Sequence, residues 1–311
     1  MRKPSIRTFA AVAFAALALW PVEASVPDLA PPSAVESLPV VRSHRYRMAG
    51  RIRPLLFWVG RDDVGLARIV WRGGTGQARG FDFLVGTDAA KAPRHINRWG
   101  FIAEHVDGAS GSVLAVMSKS DESSLGEAQA ADGGTAGREY KAIHSSVERG
   151  VLSWRVAAIR TPTALTISEL APLLDRARVE TAAADARSRP VGMKERPGFL
   201  VAVAELVERA VTARATNTST DGLRDANVPY VFGQQSYTLR FASVAPASLP
   251  RPGGEGTLAG CVSVLEIRNL STGQRTTFDM SFGTDGEFAG VPVAIAWQPR
   301  WWLKVELALV R

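Results

Sequence analysis

Fourteen residues are written twice in this chain. Thr75 to Asp88, "TGQARGFDFLVGTD", returns as Thr272 to Asp285, "TGQRTTFDMSFGTD", identical at eight of fourteen positions without a gap. "RWGFIAE" (Arg98 to Glu104) then reappears as "RWWLKVE" (Arg300 to Glu306), with five extra residues in the connection. In both copies "TGQ" separates runs rich in aromatic and β-branched residues, so each reads as a hairpin whose glycine supplies a positive φ. "FDxxxG" is the returning strand, and the Asp of "GTD" is placed to close an Asx-turn. The ordered recurrence predicts duplication of a strand-turn-strand-strand unit, with independent use of a good hairpin recipe as the competing account. An ion pair from Asp88 to Arg98, and another from Asp285 to Arg300, is the expected way of fixing the ends of each unit.

The rest of the chain agrees with a β-rich reading. From Tyr46 to Ile159, strand-like runs alternate with turns such as "RDDVG", "DGASG" and "VERG", interrupted by a polar, glycine-rich loop over Lys119 to Gly137. Near the C-terminus Leu303, Val305, Leu307 and Leu309 alternate with Lys304 and Glu306, the period of a sheet with one face in a core. Between the β-rich parts lie two helical patterns, one over Thr166 to Arg189 and one over Arg196 to Ala215. The second carries Phe199, Leu200, Val203, Leu206, Val207 and Val211 on one stripe. The fold class these patterns predict is α+β: a predominantly antiparallel β body with an internal repeat and two central helices. The expected divisions are 1–24, 25–42, 43–160, 161–215 and 216–311, with 43–311 as one body.

The N-terminus has a different character. Three basic residues precede an apolar run from Thr8 to Trp20, followed by Val22-Glu23-Ala24 and Ser25, the order of a secretory signal peptide cut after Ala24. A proline-rich leader continues to about residue 42. Removing 1–24 takes away three basic residues and one acidic one and lowers the formal charge from +7 to +5. The expectation is an exported protein, periplasmic or extracellular, with no membrane helix in the mature chain. A single cysteine, Cys261, excludes an internal disulfide; in phase with Leu265 and Ile267, it reads as a buried thiol. The basic surplus suits an anionic envelope component or a protein partner, and no specific nucleic-acid motif accompanies it.

Signatures of chemistry are sparse. "GASGS" around Ser110 lacks the nucleophile-elbow register, and "GGTGQARG" lacks the lysine and following helix of a phosphate loop. His95 and His105 do not have a zinc-motif spacing. Catalytic, metal and cofactor assignments are therefore all none. The sequence points to a non-enzymatic exported β-rich protein that binds an envelope component or a partner. Arg98, Trp99, Arg300, Trp301 and Trp302 are the candidate ligand-binding residues, because tryptophans beside arginines make stacking platforms. The alternative is an envelope hydrolase or metal-dependent enzyme in which His95, Glu104 and His105 converge with Asp62, Asp63 or His144.

Overall fold

A computed structural model describes residues 38–53, 58–73, 78–92, 97–118, 138–161, 165, 169–192, 195–218, 221–300 and 303–310. The expected signal peptide, most of the leader, the 119–137 loop, the first "TGQ", His95, Trp301 and Trp302 lie outside the described residues.

The first β-rich part forms seven strands: β1 (Val40–Ile52), β2 (Val59–Gly73), β3 (Arg79–Thr87), β4 (Trp99–Asp107), β5 (Ser110–Ser118), β6 (Glu139–Glu148) and β7 (Val151–Arg160). Helix α1 (Leu170–Ala183), short strands β8 (Arg187–Pro190) and β9 (Arg196–Pro197), and helix α2 (Phe199–Ala215) follow. The second part forms β10 (Val228–Phe232), β11 (Gln235–Pro250), β12 (Thr257–Asn269), β13 (Arg275–Gly283), β14 (Pro292–Arg300) and β15 (Leu303–Val310).

All fifteen strands belong to one sheet. Its order runs β8 down to β1, then β15 down to β9, so the first and last strands pair in the middle. Neighbours are antiparallel except β9 and β10. The predicted α+β class is thus corrected: a single large sheet dominates, and among the described residues only two α-helices accompany it.

A twisted sheet of more than about ten strands tends to curl, and here the two edges, β8 and β9, meet in sequence across residues 191–195. They do not join edge to edge. Strand β9 lies against β4, β5 and β6, and Val231 on one face of β10 packs on Val147 and Leu152 of β6 and β7. The opposite face of β10, with Tyr230 and Phe232, turns toward α2. The second edge is therefore rolled inside the first, which protects its unpaired groups from edge-to-edge association.

The two helices occupy opposite sides of the sheet. Leu170, Leu173, Leu174 and Ala177 of α1 cover Leu84, Trp99, Phe101 and Ala103 on the outer face of β3 and β4. Ala202, Leu206, Val207 and Ala210 of α2 pack inside, against Ile102, Val113, Leu239 and Phe241. Successive side chains on a strand point to opposite faces, so β4 is buried on both. The phase of β15 is as its alternation predicts: Leu303, Val305, Leu307 and Leu309 are buried in the interior.

The repeat holds for two strands and fails at the third. The turn after β12 has Gly273 at φ 71°, and β3 and β13 each pair antiparallel with the strand before them, β2 and β12. In the first copy the strand that follows, β4, begins just after Arg98 and pairs with β3. In the second copy a whole strand, β14, stands between Asp285 and Trp301, and it is β14 that pairs with β13. Duplication of the three-strand unit is therefore not supported; a shared hairpin is.

The predicted end-fixing pairs change accordingly. Arg300 lies eight residues along β14 from Pro292, which pairs with Phe282 beside Asp285. At roughly 3.3 Å per residue that separation is about 26 Å, far beyond contact. At the first copy, Asp88 Oδ1 accepts the Ala90 N–H at 3.0 Å, the expected Asx-turn, and its other oxygen is 3.8 Å from Lys91 Nζ. The strand ends are tied through Thr87: its N–H donates to Arg98 O at 3.0 Å, and its side-chain Oγ1 accepts the Arg98 N–H at 2.9 Å.

Candidate functional site

Rolling the sheet around α2 leaves a cavity of about 150 Å³. Ile69, Phe83 and Ile102 wall it from the first half. Ile267, Phe278, Met280, Ile295, Trp297 and Leu307 wall it from the second. Tyr230, Phe232 and Tyr237 come from the inner edge, and Phe199, Leu200 and Val203 from the first turns of α2. None of the lining residues is charged. Several of them, Phe83, Phe199, Leu200, Phe278, Ile295 and Trp297 among them, are only half-buried, so the apolar wall is open to small molecules. The aromatic rings brace one another: Tyr230 stacks on Tyr237 with centroids 5.3 Å apart, and Phe199 touches Tyr230 at 5.9 Å and Phe278 at 6.0 Å.

The helix is fixed in place by one carboxylate. Glu104, 0% exposed, accepts the Phe199 N–H at 2.7 Å and the Val201 N–H at 3.0 Å, with the Leu200 amide also bonded to it. An anion suits a helix N-terminus, where the first amides have no intrahelical partners. Gly198 precedes the helix at φ 102°, and a Cβ there would collide with Glu104 Oε2. Glycine is therefore required both by the dihedral and by the closeness of the carboxylate. Burial outweighs these amides and pushes the Glu104 carboxyl up to about 7.

Of the residues singled out from the sequence, Trp99 is 5% exposed and packs under α1; its Nε1 donates to Asn97 Oδ1 at 2.6 Å. Its ring occupies the space above Gly86 where a Cβ would lie. It is a wedge in the outer core. Arg98 is buried beside it, and Arg300 is half-buried at the end of β14. Trp301 and Trp302 lie outside the described residues.

Of the alternative enzyme constellation, His95 lies outside the described residues, and the described members are not brought together. Glu104 points inward, while adjacent His105 points to the other face of β4. His144 pairs in register with Leu114, whose side chain lies under α1 on the outer face. Asp63 is engaged by Lys91 Nζ at 3.1 Å, and Asp62 lies 3.8 Å from Arg51 Nη2. Among the described residues no cluster of three His, Cys, Asp or Glu could hold a metal. Cys261 is buried in the interior core, as its phase indicates, and burial raises its thiol pKa.

Sequence reasoning missed the cavity. Its walls were legible only as separate alternating strands and one helical stripe; what joins Phe199 and Leu200 to Phe278 and Trp297 is the roll of the sheet. The outer face of the second half is charged, with Arg240 and Arg275 both on Glu266 at 2.9 and 3.4 Å, and Arg51 and Lys304 both on Glu306 at 2.8 Å. Apolar inside and charged outside is the inverse of a membrane-spanning barrel. Among the described residues no helix is long and apolar enough to cross a membrane.

No family model and no curated protein matches the chain. A solved structure, a beta-barrel-like protein of domain of unknown function DUF1849 from Brucella abortus, is similar at 8% identity with a TM-score of 0.43, over 86% of this chain and 96% of that one.

Proposed function

We propose that the protein is a non-enzymatic, exported binder whose interior cavity receives the apolar part of a small envelope component. The observation that carries this reading is the uncharged, partly accessible chamber built by both halves of the sheet and the first turns of α2. A cavity of about this size, lined by aliphatic and aromatic side chains, stays dry and takes up benzene-sized molecules. The binding reading is favoured over an enzyme because both oxygens of Glu104 are engaged by helix amides and His105 points away from it.

The test uses ethylbenzene as probe. Saturable binding, seen by ligand-detected NMR and by a rise in Tm with ethylbenzene concentration, is expected for the wild type. Val203→Phe, which fills the chamber from α2, is expected to weaken it at least about tenfold while leaving the chain folded, since added volume is accommodated where space exists. A wild-type protein without saturable binding, or a variant that binds equally well, overturns the reading.

Export is supported by the basic, apolar and small-residue order of the first 24 residues. Protein purified from its native source is expected to begin near Ser25 on N-terminal sequencing. An intact Met1 terminus recovered from the cytoplasm would refute export.

A further inference from the structure

The strands in the middle of the sheet carry a core on one face and a basic surface on the other. Tyr46 and Met48 of β1, Ala67 and Ile69 of β2, and Leu307 and Leu309 of β15 are buried together inside. Alternation therefore sends Arg45, Arg47, Arg68, Ala308 and Val310 outward. Register sets them in rows across the strands. One row is Val310, Arg45, Arg68 and Leu84; the next is Ala308, Arg47, Leu66 and Gly86. Neither row holds a carboxylate, and Arg45 stands directly opposite Arg68, an arrangement that costs stability unless negative charge lies over it. The acidic residues flanking the rows are already engaged: Asp82 by Arg72 at 2.9 Å, Asp63 by Lys91 at 3.1 Å, and Glu306 by both Arg51 and Lys304 at 2.8 Å. Helix α1 covers the outer face from β3 onward, whereas Arg45, Arg47, Ala308 and Val310 are exposed on β1 and β15.

We propose that the outer face of β15, β1 and β2 is a docking surface for an anionic lipid bilayer, with Arg45, Arg47 and Arg68 receiving lipid phosphates. Charge complementarity carries this assignment, and the composition around the charges selects a bilayer. Val310 is 36% exposed beside Arg45, and Val40, 50% exposed, continues the same strand. Arginine heads set among exposed aliphatic side chains suit the headgroup layer, where the guanidinium meets phosphate while its stem and apolar neighbours enter the boundary with the acyl chains. The outer face of β12 and β13 lacks this character, because Arg240 and Arg275 are both neutralised on Glu266. Docking requires no ligand in the chamber and is independent of the cavity reading.

The test is co-sedimentation of the processed chain, beginning near Ser25, with vesicles of mixed phosphatidylglycerol and phosphatidylcholine, against vesicles of phosphatidylcholine alone. Wild-type protein is expected to bind the anionic vesicles in a salt-sensitive manner and to ignore the neutral ones. Arg45→Glu should weaken binding at least about tenfold, since each basic residue at such a surface contributes roughly fivefold and reversal acts twice. Arg47→Glu should act in the same direction and serves if the first variant does not fold. Arg268→Glu makes the same charge change at an exposed position on β12 and should leave binding within about twofold, because charge far from the contact is screened. An equal loss in Arg268→Glu would assign binding to net charge and overturn the docking surface. Equal binding to neutral vesicles, or none to anionic ones, would overturn it as well. Binding of an anionic polysaccharide with no binding to the anionic vesicles would assign the arginines to a polymer and overturn the lipid partner.

Discussion

Glu104→Ala is expected to destabilise the protein by about 3 kcal/mol, because at least two buried helix amides lose their acceptor and each such loss costs about 1–3 kcal/mol. The amides concerned are those of Phe199 and Val201, so hydrogen exchange in the first turn of α2 should accelerate more than in the rest of the helix. Phe199 and Leu200 wall the cavity, and ethylbenzene binding should weaken in parallel. Glu104→Gln isolates the charge. The carboxyl has a folded pKa of about 7 against an ordinary 4.5, so protons bind the folded state more tightly than the unfolded one. Its contribution is therefore fully present below about pH 4.5 and is lost as pH rises through 7. The linked change is about 3 kcal/mol. The stability of the wild type relative to Glu104→Gln should fall by that order between pH 4.5 and 8, measured by urea unfolding at each pH. A difference that does not move with pH would show that the carboxylate keeps its ordinary affinity for protons.

The second large effect lies on the outer face. Arg72 Nε donates to Asp82 Oδ2 at 2.9 Å, with the two side chains only 3% and 6% exposed, and Arg72 Nη1 reaches Leu38 O at 3.1 Å. Burial raises the Asp82 pKa even with Arg72, Arg68 and Arg178 nearby. The other atoms of the pair, Asp82 Oδ1 and Arg72 Nη2, are buried without partners among the described residues. Removing one partner leaves the other as an uncompensated charge, and Asp82→Ala should cost about 3–5 kcal/mol. The same position of the repeated "FD" in the second copy is Asp279, exposed on β13, where Asp279→Ala should stay within about 0.5 kcal/mol. Replacing both members of the buried pair, as Arg72→Met with Asp82→Leu, should recover most of the loss. Equal effects at Asp82 and Asp279 would show that burial does not distinguish the two copies.

The contrast between Asp82 and Asp279 shows why the repeat misleads. Identical letters on β3 and β13 give the same alternation, because alternation is local. Their burial differs because α1 lies over the outer face of the first half, whereas the outer face of β13 is open to solvent. The same limit applies to Trp99, which local sequence marks as a large aromatic beside an arginine but cannot place beneath a helix some seventy residues later.

What the sequence by itself determined was local: the phase of Leu303 to Leu309, the interior position of Cys261, the apolar stripe of α2 and the turn at Gly273. Each follows from a period of two or 3.6 residues, or from the one residue type that tolerates a positive φ. Only the tertiary structure decided that the fifteen strands form one sheet, that its second edge rolls inside the first, and that α2 lies within the roll. Those outcomes depend on pairings hundreds of residues apart, such as Tyr46 with Leu309, and on the curl that a long twisted sheet accumulates. Local alternation specifies which side chains share a face. It does not specify what that face meets, and it is this long-range meeting that buries Glu104 under α2 and encloses the chamber beside Tyr230.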